Sequence, residues 1–450
     1  MRGVLAIVTI VLCLTVPKVA AQTGRPAGKP NVVLIMTDDV GYGDFGSYGA
    51  PDVRTPHIDS LARDGVRFTD FYAAPTCTPT RAALMTGRYQ QRVRLEVPIR
   101  MAGTPGGDVG LTANGRSLPQ LLKNNGYATG LVGKWHLGYR KEYQPNAHGF
   151  DYFFGFLSGF IDYYQHTAFD GKPDLYENGA PVEVNGYMTD LITQRSITFI
   201  NNHAARPFFL EVAYNAAHWP FQVPDHPSVA PGNGRFVQPT DEPTATRRDY
   251  VAILERADQG VGEILAALRK LGLERDTLVI FTNDNGGEWL SRNAPLFHRK
   301  ETLWEGGIRV PLLMRWPGRI PARNVSGQVG ITMDLTASIL AATNTAVTAE
   351  VALEGRDLLP IVRGESPEVD RMLFFRIATP RRQQRAVRHG SWKLMVDGAE
   401  VPGVPVPPAS LLFDLRADIG ERNDVAKERP EIVRRLRQLL AEWEQDVDGK

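Results

Sequence analysis

Cysteine is nearly absent from this chain. Among 450 residues only Cys13 and Cys77 carry a thiol. Cys13 falls in an N-terminal segment that reads as removable, which leaves Cys77 alone and excludes internal disulfides as a source of stability. An excess of charge of one sign is also lacking: 51 basic residues face 50 acidic ones, with no basic run or stripe. That balance gives no support to a nucleic-acid partner. Long apolar runs are missing too. Val4–Val16 falls short of the roughly 20 residues that a membrane-spanning helix needs, and no later segment reaches that length. A membrane span in the mature chain is therefore not expected. No Cys–His cluster has the spacing of a zinc site.

What is there begins with the same N-terminal stretch. Arg2, the apolar Val4–Val16 and the small residues Val19-Ala20-Ala21 follow the order of a secretory signal peptide. The sequence thus predicts a signal peptide over 1–21, a polar lead-in over 22–30 and an exported protein, periplasmic or secreted. A lone thiol in an oxidising compartment is a liability unless it is buried or chemically used. The surroundings of Cys77 therefore carry weight.

Asn31–Thr37 is a continuous apolar run, the pattern of a strand buried on both faces. It ends in Asp38-Asp39 and a glycine-rich turn. Tyr127–Val132, Pro207–Ala213 and Thr277–Thr282 have the same shape and likewise run into polar residues. Helical patterns lie between them, at Leu118–Asn124 and most clearly at Tyr250–Leu271. Alternating strands and helices predict an α/β fold with a large, mostly parallel sheet flanked by helices, whose ligands bind beyond the carboxyl ends of the strands. After about residue 365 the pattern changes. Ala386–Val396 and Leu411–Leu415 read as short strands around a Pro-rich loop, Val401–Pro408, before a helix opening at Pro430. The expected division is a catalytic domain over 31–365 and a small α+β subdomain over 366–450.

The chemistry gathers at the strand ends. Asp38, Asp39, Asp284 and Asn285 offer only oxygen ligands, which suit a hard divalent cation, although such residues also cap turns. Lys134, His136, His218 and Lys300 supply positive charge and movable protons. Cys77-Thr78-Pro79-Thr80-Arg81 stands just before a predicted helix, where the helix N-terminus and Arg81 favour an anion or a nucleophile. Taken singly, a lone Cys is more often an inert buried residue.

Together these segments resemble the type I sulfatase family of the alkaline phosphatase-like superfamily. The resemblance runs through Asn31–Gly46, Cys77–Arg81 with the following Ala82-Ala83-Leu84-Met85-Thr86-Gly87-Arg88, and Gly133–Gly138. It continues through Asn215–His218, Thr282–Asn285, Lys300 ahead of Glu305–Pro311, and Leu412–Asp418. It implies that a maturation enzyme oxidises Cys77 to formylglycine (3-oxoalanine), whose hydrate attacks the sulfur of a sulfate ester. It also implies one divalent cation, calcium with magnesium as the alternative, held by Asp38, Asp39, Asp284, Asn285 and the modified Cys77. Arg81 and Lys134 would hold the hydrate, His136 would assist its collapse, and His218 and Lys300 would bind sulfate and protonate the leaving oxygen.

The implied partner is a sulfated substrate, a carbohydrate or an aryl ester. Two rivals remain: a phosphonate monoester or phosphodiester hydrolase of the same fold, and a non-catalytic binder of sulfated glycans. Specificity is expected in the loops 95–112, 158–185 and 220–246, where Phe160, Tyr163 and Tyr164 suit either ring stacking or a core. Ser158, His57, His148 and His298 receive no role.

Overall fold

A computed structural model describes residues 28–225, 245–379, 382–397 and 410–449. The expected signal peptide, the Pro-rich loop at 401–408 and most of the 220–246 loop lie outside the described residues.

The strand read from Asn31–Thr37 forms β1, and every residue in it is buried. Alternation sends Val33 and Ile35 into one apolar cluster and Val32, Leu34 and Met36 into another, one on each sheet face. Further strands in chain order are β2 (Val66–Phe68), β3 (Phe71–Tyr72), β4 (Ala128–Lys134), β5 (Tyr152–Phe156), β6 (Tyr176–Glu177), β7 (Ala180–Pro181) and β8 (Phe208–Ala213). They continue as β9 (Thr277–Asn283), β10 (Leu312–Arg315), β11 (Asn324–Ser326) and β12 (Gly330–Ile331). The main sheet has the order β11-β2-β10-β9-β1-β8-β4-β5-β6-β7. Its centre, β9-β1-β8-β4-β5, is parallel, and β10 and the β6-β7 edge run antiparallel. The expected mixed, mostly parallel sheet is present.

Helices cover both faces. In chain order they are α1 (Pro56–Arg63), α2 (Cys77–Thr86), α3 (Leu118–Asn124), α4 (Met188–Asn202), α5 (Arg247–Lys270), α6 (Glu305–Ile308) and α7 (Met333–Ala342). α1, α4 and α5 pack on the Val33 face, and α2, α3 and α7 on the Val32 face. α5 starts where Thr246 and Asp249 close a capping box, and it buries Tyr250, Ile253, Leu254, Val261, Ile264 and Leu268. Truncating Leu254 to alanine would cost about 2–5 kcal/mol. No described helix is long and apolar enough to cross a membrane.

Beyond α8 (Leu359–Val362) a separate antiparallel sheet follows, β13 (Met372–Thr379), β14 (Arg382–His389), β15 (Trp392–Val396) and β16 (Ser410–Asp414). The single strand expected over Ala386–Val396 is instead a hairpin, because the chain reverses at Gly390-Ser391 and pairs His389 with Trp392. β13 is a further strand beyond those expected. α9 (Pro430–Val447) lays Leu436, Leu440 and Trp443 on this sheet, with Trp443 stacked on Phe374. A buried ionic network ties the two sheets together. Lys393 lies 2.9 Å from Glu305 and 2.7 Å from Glu421, all three with almost no exposure, and Glu305 also accepts from Tyr72 and Arg309.

Candidate active site

Parallel register brings the polar strand ends to one edge. Thr37 pairs with Asn283, so Asp38-Asp39 and Asp284-Asn285 leave the sheet side by side. Gly133 pairs with Ala213, which sets Lys134 and the His218 loop next to them. Only glycine fits at 133: its φ is +118°, and a Cβ there would lie 1.9 Å from the Ala213 carbonyl oxygen. That close approach is what lets Lys134 turn into the centre.

Cys77 is the first residue of α2 rather than the residue before it, and it is 3% exposed. Burial pushes its thiol up, and Lys134 and Lys300 only partly oppose this. A thiol held protonated is a weak nucleophile. Arg81, one turn along α2, donates to Asp284 at 2.9 Å and to the Lys134 carbonyl at 3.0 Å. Lys134 reaches Asp38 at 2.6 Å. Lys300 lies 2.7 Å from Asp39 and 3.5 Å from Glu288. Its loop is tied back to the Cys77 segment by the Glu301 amide, which donates to the Pro75 carbonyl. All the catalytic and metal residues expected from sequence thus lie in one buried cluster, with Cys77 within the field of Lys134, Lys300, Asp284 and Asp38.

The carboxylates fit a cation. Asp38 Oδ1, Asp284 Oδ1 and Asn285 Oδ1 are buried and accept no hydrogen bond. Burial and the neighbouring Asp284 push Asp38 well above the usual carboxylate range, against the pull of Lys134. Oxygens crowded this way suit a hard divalent ion. Asp39 behaves differently. Burial raises it, but Lys300, His218 and Lys134 outweigh that and hold it low. Ligand atoms of Asp38, Asp39 and His218 also lie within 4.8 Å of one another, which adds His218 to the side chains able to face the ion.

The two imidazoles present opposite nitrogens. His136 donates from Nε2 to the Ile99 carbonyl at 3.1 Å, so its Nδ1 is an unpartnered, buried acceptor. Burial and Lys134 hold this ring neutral. His218 donates from Nδ1 to the Trp219 carbonyl at 2.7 Å and turns Nε2 toward Asp39, 3.4 Å away. Burial pushes it down to about 3, with Asp39 opposing.

Sequence reasoning misses several supports. Thr78 donates to the His136 carbonyl and accepts from the Ile99 amide. Tyr163 is fully buried, with its hydroxyl near the carbonyls of Asn215 and His218, so it is no stacking surface; Tyr164 is half-buried, with its hydroxyl on the Val223 carbonyl. Ser158 donates to the Phe160 carbonyl, and Glu288 sits beside Lys300. No motif marks them, because each acts through a contact that local pattern does not encode. His148 bonds the Leu111 carbonyl and packs on Trp135, a structural role.

A mostly parallel sheet whose strand ends converge on buried carboxylates, cations and a buried cysteine has the layout of an ester hydrolase with the alkaline phosphatase-like architecture. The model of the sulfatase family matches residues 30–345, and that of the N-sulphoglucosamine sulphohydrolase C-terminal region matches 295–446. N-acetylgalactosamine-6-sulfatase of Canis lupus familiaris is 36% identical over 370 residues, covering 77% of this chain and 68% of that protein. Arylsulfatase A of Homo sapiens is 34% identical over 466 residues, covering 92% and 87%. The solved complex of Ps i-CgsB with k-i-k-neocarrahexaose matches with a TM-score of 0.80 and 31% identity over 92% of each chain. The chain belongs to the sulfatase family, and its reaction is the hydrolysis of sulfate esters.

Proposed function

We propose that this chain is an exported, calcium-dependent sulfatase that acts on a sulfated carbohydrate through formylglycine at position 77. The observation that carries the reading is the set of unpartnered oxygens on Asp38, Asp284 and Asn285, buried beside the Cys77 helix terminus and three cations. Asp38, Asp39, Asp284 and Asn285, with the modified Cys77, would hold one divalent cation, calcium or else magnesium. The cation would supply charge stabilisation for the attacking oxygen.

The hydrated aldehyde at residue 77 supplies two hydroxyls: one attacks sulfur and expels the alcohol, and the other then re-forms the aldehyde as sulfate leaves. Arg81 and Lys134 orient those hydroxyls. His136, with Nδ1 bare and its ring neutral, accepts the proton released in the second step. Lys300, kept cationic mainly by Asp39 against the cost of burial, binds the sulfate and donates to the leaving oxygen. His218 also faces the sulfate. With Nδ1 committed to Trp219 it donates from Nε2 only as the imidazolium; burial disfavours that form more than Asp39 favours it, so the charge of a bound sulfate would have to raise it.

A carbohydrate is favoured over a simple aryl ester because two relatives bear on sugars: N-acetylgalactosamine-6-sulfatase by name, and Ps i-CgsB by its oligosaccharide complex. Residues 1–21 would direct export, and a maturation enzyme would act on the Cys77 motif before folding, since the thiol is 3% exposed afterwards. We take 31–365 as the catalytic domain and 366–450 as the C-terminal subdomain. The change from a mostly parallel to an antiparallel sheet supports that division.

Mass spectrometry of the tryptic peptide 68–81 from protein exported by its native host tests the reading. An aldehyde or its hydrate at residue 77, with sulfate-ester turnover exceeding phosphonate turnover, is the expected result. Unmodified thiol in a host that matures other sulfatases would overturn it and favour a binding role. Dominant phosphonate turnover would overturn the substrate assignment.

A further inference from the structure

Beside His218 lies a group of aromatic rings that the hydrolytic steps do not use. Phe160 lies parallel to the His218 imidazole, with centroids 5.9 Å apart and planes within 3°. Trp219 packs on Phe160 at 4.2 Å. Phe169 stands edge-on to both, at 5.9 Å from Phe160 and 6.4 Å from Trp219. All three rings are half-buried.

The segment that carries Phe160 is wedged between the two active-site imidazoles. Gly159 lies so close to His136 that a Cβ there would meet Cε1 at 2.6 Å, and Phe160 follows directly onto His218. Asp174 fixes this segment by accepting the amides of Leu157 and Ser158, and Ser158 donates to the Phe160 carbonyl. Trp219 is held by its own neighbour, through the carbonyl bond to His218 Nδ1. The rings are therefore rigidly positioned, and they adjoin the groups that bind the sulfate.

We infer that Trp219 and Phe169, backed by Phe160, form the leaving-group subsite, and that it takes the pyranose ring of a sulfated sugar. The inference rests on the assignment of Cys77 as the sulfate-ester site. A pyranose has a face of C–H bonds, and the electron-rich face of an aromatic ring attracts it. Its remaining hydroxyls stay at the wet edge while its sulfate reaches the cations. A linear alkyl sulfate has no such face and gains little from the shelf. Convergent polar groups beside an apolar wall are the usual arrangement of a small-ligand site.

The test uses full-length, matured protein and compares wild type with Trp219→Leu and Phe169→Leu, which stay apolar and remove the ring. Turnover is measured on galactose carrying sulfate at C2, C3, C4 or C6, on n-butyl sulfate and on 4-nitrophenyl sulfate. Trp219→Leu is expected to lower the kcat/KM ratio of the preferred galactose sulfate to butyl sulfate about tenfold, mainly through KM. Phe169→Leu should lower it less. Equal losses on both esters would mean that the rings only position His218, and would overturn the subsite. So would an unchanged ratio, or shelf-dependent turnover of 4-nitrophenyl sulfate with no galactose sulfate accepted.

Binding separates this inference from the mechanism on which it rests. Calorimetry of the galactose sulfates with Cys77→Ala, alone and combined with Trp219→Leu, reads the shelf without turnover. Tenfold weaker binding in the double variant supports it even if matured wild type hydrolyses nothing, an outcome that would sink the Cys77 assignment instead. Equal affinity in the two variants overturns it.

Discussion

Arg81 and Asp284 form an ion pair sealed from solvent, with Nη2 2.9 Å from Oδ2 and side chains 2% and 0% exposed. The same guanidinium donates to the Lys134 carbonyl, so one side chain holds both a carboxylate whose other oxygen is unpartnered and the strand end that carries Lys134. Arg81→Ala leaves the buried Asp284 with only Lys134, 3.9 Å away, and is expected to destabilise the fold by about 3–5 kcal/mol. Arg81→Lys keeps the charge but not the fork, and should recover stability more than activity. Urea unfolding together with kcat/KM separates the two effects.

Removing divalent cations should lower both activity and melting temperature, because the oxygens of Asp38, Asp284 and Asn285 then lose their partner. Calcium at a hundred times its Kd would stabilise the fold by about 2.7 kcal/mol. Thermal melts with chelator and with added calcium check this. Asp38→Asn should blunt the calcium response, and an equal response in the variant would remove Asp38 from the ligand set.

His136 should act late. With its Nδ1 as the accepting atom, His136→Gln is expected to lower kcat by about 10²–10⁴-fold. It should also let the sulfated form of residue 77 accumulate. Intact-protein mass spectrometry after mixing with substrate reads that species. A slow variant with no trapped ester would move His136 to the first step.

Glu211 lies on β8, buried with Oε2 unpartnered. Burial pushes its carboxyl up to about 7, against the pull of Arg81. The folded state therefore prefers the protonated form. The associated stability is fully present below the unfolded value near 4.5 and is lost as pH rises through about 7. Glu211→Gln should match wild type at about pH 4.5 and exceed it at about pH 8, by up to roughly 3 kcal/mol. Urea midpoints at the two pH values test the sign.

At the joint between the sheets, Lys393→Met leaves Glu421 without its cation, facing Glu305, which keeps Arg309. A loss of about 3–5 kcal/mol is expected. Triple replacement of Lys393, Glu305 and Glu421 by apolar residues should recover much of it, as measured by chemical unfolding. Failure of that recovery would point to a role for Glu305 in holding the Lys300 loop.

Much of the site is legible in the amino-acid sequence. β1 is readable as a strand because its side chains are apolar on both faces, and its end is readable because Asp38-Asp39 cannot follow into that core. The Ala386–Val396 hairpin reads as one strand although Gly390-Ser391 is a two-residue turn signal; the pairing of His389 with Trp392 fixes the reversal there. Tyr163 and Tyr164 look equivalent to Phe160 in sequence, yet the backbone carbonyls that their hydroxyls meet come from a different loop.

The sequence by itself determined the residue types of the site, their attachment to strand ends and the presence of Cys77 as the one cysteine beyond residue 13. Those follow from local pattern and from chemistry that needs particular side chains. Tertiary structure alone decided which oxygens of Asp38, Asp284 and Asn285 are left free, which nitrogen of His136 is bare, and which aromatic rings adjoin His218. Such facts depend on register between strands far apart in the chain, and on hydrogen bonds whose partners no local pattern encodes.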